Sequence, residues 1–135
     1  MRLIIVTGQE GTDVENLLRR IISENKYTYD DAPKMVFPER SSLLYHPRSL
    51  YSNVRRVVSD HIDSNEDLFV ATFSDYAMYG IRAEVRLADF EGAKSYQIKS
   101  DGEVVISEID SNGKCQYING VFDVLRDALN DVLGW

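Results

Sequence analysis

The chain is short of the residues that most often announce specialised chemistry. It has one cysteine, Cys115, and two histidines, His46 and His61, in 135 residues. A single cysteine excludes an internal disulfide and a cysteine-based zinc cluster. Nothing near Cys115 supplies a base that would make it a nucleophile. His46 and His61 lack the i,i+4 spacing of a helical metal pair. Ser74, His46 and Asp75 lack a nucleophile-elbow motif that would argue for a catalytic triad. No apolar run approaches the ~20 residues that a membrane helix needs. The apolar run at residues 3–6 is too short for a signal peptide, so a cytoplasmic protein with no membrane partner is expected. Cations are also scarce. Fifteen Lys and Arg stand against 22 Asp and Glu, a formal net charge of −7. That balance argues against sequence-independent nucleic-acid binding. Arg48, Arg55 and Arg56 form one local basic grouping, which reads as a solvated helix face. No repeat, linker or low-complexity segment is present.

What remains is ordinary globular material, 44% hydrophobic and 27% charged, and the length suits one domain, residues 1–135. The stretch at 67–82, DLFVATFSDYAMYGIR, organises the reading. Residues 68–72 are apolar without alternation, as in a strand buried on both faces of a parallel sheet. Ser74 offers an N-cap hydroxyl, Asp75 suits the positive end of a helix, and Met78, Ile81 and Val85 continue at helical spacing. Residues 2–7 predict a buried first strand. Gly8-Gln9-Glu10-Gly11 is a turn, and Thr12 with Glu15 makes a capping box for a helix with Val14, Leu17, Leu18, Ile21 and Ile22 on one face. Residues 34–37 form a short strand, and residues 48–62 an amphipathic helix. Residues 94–99, 103–109 and 114–118 are β-prone runs, joined by Ser100-Asp101-Gly102 and Ser111-Asn112-Gly113, and predict an antiparallel meander. Gly120 precedes a final helix. The predicted fold is α/β: a small, mainly parallel sheet flanked by helices, then the meander and the last helix.

Strand, glycine turn and helix at residues 2–22 make the geometry that phosphate-binding loops use. A Walker A loop, however, needs Lys and Ser or Thr after its second glycine. Here Gly8 and Gly11 are closer together than in that motif, Thr12 and Asp13 follow, and Glu10 and Asp13 would repel a triphosphate. The residues themselves read as a tight strand-to-helix turn.

Residues 71–82 resemble the switch-histidine segment of the ABC-type ATPases of the AAA15/OLD and SMC/Rad50-like group. In that family a histidine meeting the γ-phosphate stands where this chain has Phe73. Tyr45-His46-Pro47 resembles the Leu-His-Pro helix opening that follows Walker B in the same family. With a one-residue insertion, Glu39 falls on the catalytic glutamate and Pro38 on the magnesium-binding aspartate. Asn119-Gly120-Val121-Phe122-Asp123 is similar to the family's Gly-Phe-Phe-Asp-like segment after a β-hairpin. The resemblance spans residues 34–135 and implies a shortened P-loop NTPase-like domain without an LSGGQ-like signature segment.

Phosphoryl transfer depends on a lysine, Mg2+ and a water-orienting group. The lysine is missing, and Pro38 and Phe73 replace two of the other parts. The resemblance therefore implies a catalytically inactive, ATPase-like protein-binding module with no required cofactor. It would pair with or imitate an ATPase subunit, in phage–host conflict or DNA repair. Tyr76, Tyr79 and Arg82 are the candidate partner-binding residues, since Tyr and Arg favour interfaces. The alternative is a weak nucleotide- or Mg2+-dependent enzyme, an NTPase or a Toprim-like nuclease. It would bind ATP and Mg2+ through Gly8, Glu10, Gly11, Asp13, Glu39 and Asp75 at the strand ends. A homodimer through the meander edge is a third arrangement.

Overall fold

A computed structural model describes residues 1–8, 11–37 and 47–116. In chain order the elements are β1 (Leu3–Gly8), α1 (Val14–Glu24), β2 (Lys34–Phe37), α2 (Pro47–Ser64), β3 (Leu68–Thr72), α3 (Asp75–Leu87), β4 (Ala93–Ile98) and β5 (Val104–Ile109). They build one five-stranded mixed sheet in the order β2-β3-β1-β4-β5. β1 pairs in parallel with β3 and β4, β2 pairs in parallel with β3, and β5 runs antiparallel to β4.

The position of each strand follows its composition. β1 and β3 are buried at every residue and take the interior. Each fully buried Val, Leu or Ile there contributes about 1.5–3 kcal/mol. β2 is only half-buried and β5 alternates exposed with buried positions, so these two form the edges. Alternate β1 side chains feed two cores. Ile4 and Val6 pack with Phe69, Ala71 and the Leu17, Leu18, Ile21 and Ile22 face of α1. Leu3 and Ile5 pack on the other side with Leu50, Val54 and Val58 of α2 and Met78, Ile81 and Val85 of α3. α1 thus covers one face of the sheet, and α2 and α3 cover the other.

The expected meander differs in its attachment. β4 is not part of a separate hairpin unit; it continues the main sheet beside β1, and only β4–β5 is antiparallel. Periodicity and turn residues report the local pairing of β4 with β5. The pairing of β4 with β1 joins residues about 90 positions apart, a contact invisible to local pattern. Both glycine turns form as expected. Gly102 (φ +87°) and Gly113 (φ +79°) adopt the left-handed backbone that closes a three-residue loop. Gly102 N–H donates to the Lys99 carbonyl (2.9 Å), and Gly113 N–H to the Asp110 carbonyl (2.8 Å). Residues 114–116 belong to no strand. The rest of that predicted strand and the final helix lie outside the described residues. Among the described residues no helix is long and apolar enough to cross a membrane.

Asp67 ties the starting ends of the strands together. Its carboxylate accepts the Arg2 N–H (2.6 Å) and the Tyr27 hydroxyl (2.8 Å). Burial raises its pKa, but the Arg2 N–H, the Tyr27 hydroxyl and the nearby positive charges outweigh that and hold it below the ordinary carboxylate value. Folding lowers this pKa, so the stabilisation is complete above the unfolded value, about 3.9, and is lost as pH falls through the lower folded value. Asp67→Asn is therefore expected to cost about 1 kcal/mol at pH 7, less than a fully buried bond to a charged acceptor because water screens this half-exposed site. Urea unfolding of both proteins between about pH 7 and pH 3 checks this. The gap narrows toward acid if the tie acts through charge, and a constant gap would refute it.

Candidate functional site

In a mainly parallel sheet, the carboxyl ends of the strands are where outgoing connections part and leave room for a ligand. Here the chain leaves β1 toward the β2 edge and leaves β4 toward the β5 edge. Between them, beside the start of α1, is a cavity of 510 Å3. Leu17, Ile98 and Val104 supply its apolar lining, and Asp13, Arg20 and Asp101 its charges. Arg20 is largely exposed, with a long contact to Glu24 (3.9 Å). Two carboxylates thus face one cation.

The predicted site residues Gly8, Gly11 and Asp13 meet at this end of the sheet. Gly8 closes β1, and a side chain there would run into the Thr12 hydroxyl, so the turn needs glycine for close approach. Gly11 adopts φ +84°. The helix cap lies one residue later than the predicted Thr12. Asp13 is the N-cap of α1, accepting Asn16 N–H (3.2 Å) with one oxygen and the Asn16 side-chain amide (2.5 Å) with the other. A carboxylate caps better here than a hydroxyl, since it takes two donors and adds charge at the positive pole of the helix. Glu15, the other half of the predicted capping box, instead pairs with Arg19 (3.3 Å) and accepts the Tyr29 hydroxyl (3.2 Å).

Asp75 stands elsewhere. It opens α3, whose cap is Ser74, the Ser74 Oγ accepting Ala77 N–H at 3.4 Å. Since α1 and α3 cover opposite faces of the sheet, Asp13 and Asp75 stand at the starts of helices in different layers. Among the described residues no three His, Cys, Asp or Glu side chains form a group able to hold a metal. Glu10, Glu39, Pro38 and His46 lie outside the described residues. Phe73, at the position of the family's histidine, packs against the α1-side core. Burial pushes the Cys115 thiol pKa up, away from thiolate chemistry.

The candidate partner-binding residues lie on α3. Tyr76 and Tyr79 are 37% and 39% exposed, and Leu87, further along the same helix, is 70% exposed. Arg82 is engaged within the chain: its Nε donates to the Gly113 carbonyl (2.8 Å), and its guanidinium lies 5.9 Å from the Tyr79 ring.

A polar row was not anticipated from the sequence. Thr72, Thr7 and Gln97 are register neighbours on adjacent strands at the carboxyl end, and all three are buried. Gln97 Nε2 donates to Ser95 Oγ (3.1 Å) and to the Gln116 carbonyl (3.2 Å), while its Oε1 has no partner among the described residues. A glutamine in a strand ordinarily reads as solvent-facing, so its pattern offered no signal.

No protein-family model matches the chain, and no curated protein or solved structure matches it.

If Asp13 caps α1 as described, Asp13→Ala should lower stability by about 1 kcal/mol, with Asp13→Asn recovering most of it. Urea midpoints at neutral pH check this; an unchanged Ala variant would remove Asp13 from that role.

Proposed function

We propose that this protein is a non-catalytic, P-loop NTPase-like module that works by binding another protein through the outer face of α3. The observation that carries the reading is the second apolar side of that helix. Ala77, Met78, Ile81 and Val85 are 0–1% exposed and serve the core. Tyr76, Tyr79 and Leu87 nevertheless stand on the solvent side, where a helix used once would be polar. Aromatic residues set in a surface of this kind favour protein contacts.

The strand ends support the same reading. An anion bound at α1 would need the N–H groups of its first turn and a positive field. Asp13 already takes one of those N–H groups and cancels part of the field with its own charge. The cavity beside it adds a second carboxylate, Asp101. Phe73 packs, partly buried, against the core with a ring that can neither accept nor donate a proton. On this reading the cellular setting is cytoplasmic, and an ATPase subunit is the kind of partner that the family resemblance suggests.

Calorimetric titration with ATP and Mg2+ tests the proposal. No heat of binding is expected at millimolar ligand. Clear binding that Glu39→Gln or Asp75→Asn abolishes would overturn it in favour of a weak nucleotide- or metal-dependent enzyme.

A further inference from the structure

We propose that the outer face of α3 pairs with the same face of a second copy of this chain, the two helices antiparallel about a two-fold axis. This rests on reading that face as the docking surface and names a second copy of this chain as its occupant, in place of the ATPase subunit that the family resemblance suggests.

The stripe is unusual for its concentration. Five large hydrophobic side chains are exposed among the described residues, and three of them, Tyr76, Tyr79 and Leu87, lie on α3. With half-buried Ala83 they follow the i, i+3, i+7, i+11 spacing of one helical face. The other two, Val104 and Ile106, are on β5 at the far edge of the sheet.

The stripe is also self-complementary. In an antiparallel helix pair, two positions face each other when their midpoint lies on the two-fold axis. Tyr76 and Leu87, Tyr79 and Ala83, and Asp75 and Arg86 all share a midpoint at Ile81, to within about half a residue. One axis therefore satisfies three pairings at once. At 3.6 residues per turn, Asp75 and Arg86 lie about 20° apart on one flank, and Tyr76 and Leu87 about 20° apart on the other. Antiparallel pairing sets like flanks against each other. Asp75 then meets Arg86 of the second copy, twice over, and the Tyr76 ring meets Leu87 of the second copy. Between them Tyr79 lies over Ala83 of the second copy, a large side chain over a small one. Isologous contacts of this form close on themselves and stop at the dimer.

Electrostatics leaves this face open to self-pairing. α2 and α3 together hold five arginines, no lysine and four carboxylates. That is +1 for the two helices in a chain of −7, leaving −8 for the remainder. These two helices therefore add nothing to the repulsion between two acidic molecules. Asp75 sits in the first turn of α3 and Arg86 in the last, where each already suits the helix dipole. The pairing adds to the interaction that Asp75 already has within its own chain, without moving either residue from that position.

The test is sedimentation equilibrium of the full chain over about 5–500 μM, a range that spans weak dimers. The wild type should pass from the mass of one chain toward that of two. Arg86→Asp and Asp75→Arg, each verified as folded by circular dichroism, should each remain monomeric, since each sets like charges opposite one another. A 1:1 mixture of the two variants should dimerise again, because every facing pair is then opposite in charge. A wild type that is monomeric throughout would overturn the proposal. So would a dimer that neither variant weakens, which would place the contact on β5 or in residues 117–135. A mixture no better than its components would overturn it as well. Nucleotide binding in the calorimetry would leave this result standing, and a monomer here would leave the calorimetry standing.

Discussion

β1 has a helix layer over each of its faces and a parallel strand along each of its edges. No side chain from Leu3 to Val6 reaches solvent to any useful extent, and even Thr7 is 1% exposed. Such a strand is held by burial on two sides and by hydrogen bonds on two more. It fixes β3 and β4 as neighbours, and through them the lengths over which α1 and α3 must return. The polar ties, such as Asp67 with Arg2 and Tyr27, sit at the rim and trim the ends of a sheet that apolar burial has already assembled.

That arrangement also decides what the carboxyl end of the sheet can do. The divergence of chain after β1 and β4 opens a cavity, as it does in many α/β ligand sites. Its electrostatics points away from phosphate. The pole of α1 is answered by Asp13 from within the chain, and Asp101 faces the same space. A ligand for this crevice would have to accept an acidic rim and an apolar floor.

α3 is held in place by two close approaches. At Gly80 a side chain would stand 3.1 Å from the Tyr51 carbonyl, so α2 and α3 meet almost backbone to backbone, locked by the Arg55–Glu84 ion pair (2.8 Å). At Gly113 a side chain would collide with the Arg82 carbonyl, which brings the segment after β5 onto the same helix. With its orientation set from both sides, α3 has no freedom to turn its outer tyrosines inward. Their exposure follows from core packing, and the proposed docking surface is built on it.

Much of this was legible from residues alone. The apolar runs at residues 3–6 and 68–72 read as strands buried on both faces, and β1 and β3 are such strands. Ser74 as a cap, the faces of α1 and α3, and the two glycine turns are local matters of spacing and backbone freedom, and local pattern revealed them. The cap of α1 lies one residue beyond the Thr12 that local pattern suggests: Thr12 and Asp13 are both good caps, and in the fold Asp13 takes both Asn16 donors. The attachment of β4 to β1, the separation of Asp13 and Asp75 onto opposite faces, and the burial of Gln97 were not legible. Each depends on contacts between residues far apart in the chain, whose pairing is selected by the whole core at once. Residue pattern alone is enough to place the described strands and helices and their apolar sides, but it also places a strand over residues 114–116, where none forms. The order of the strands, and hence which carboxylates share a space and which tyrosines are left outside, comes from long-range packing, which no local period records.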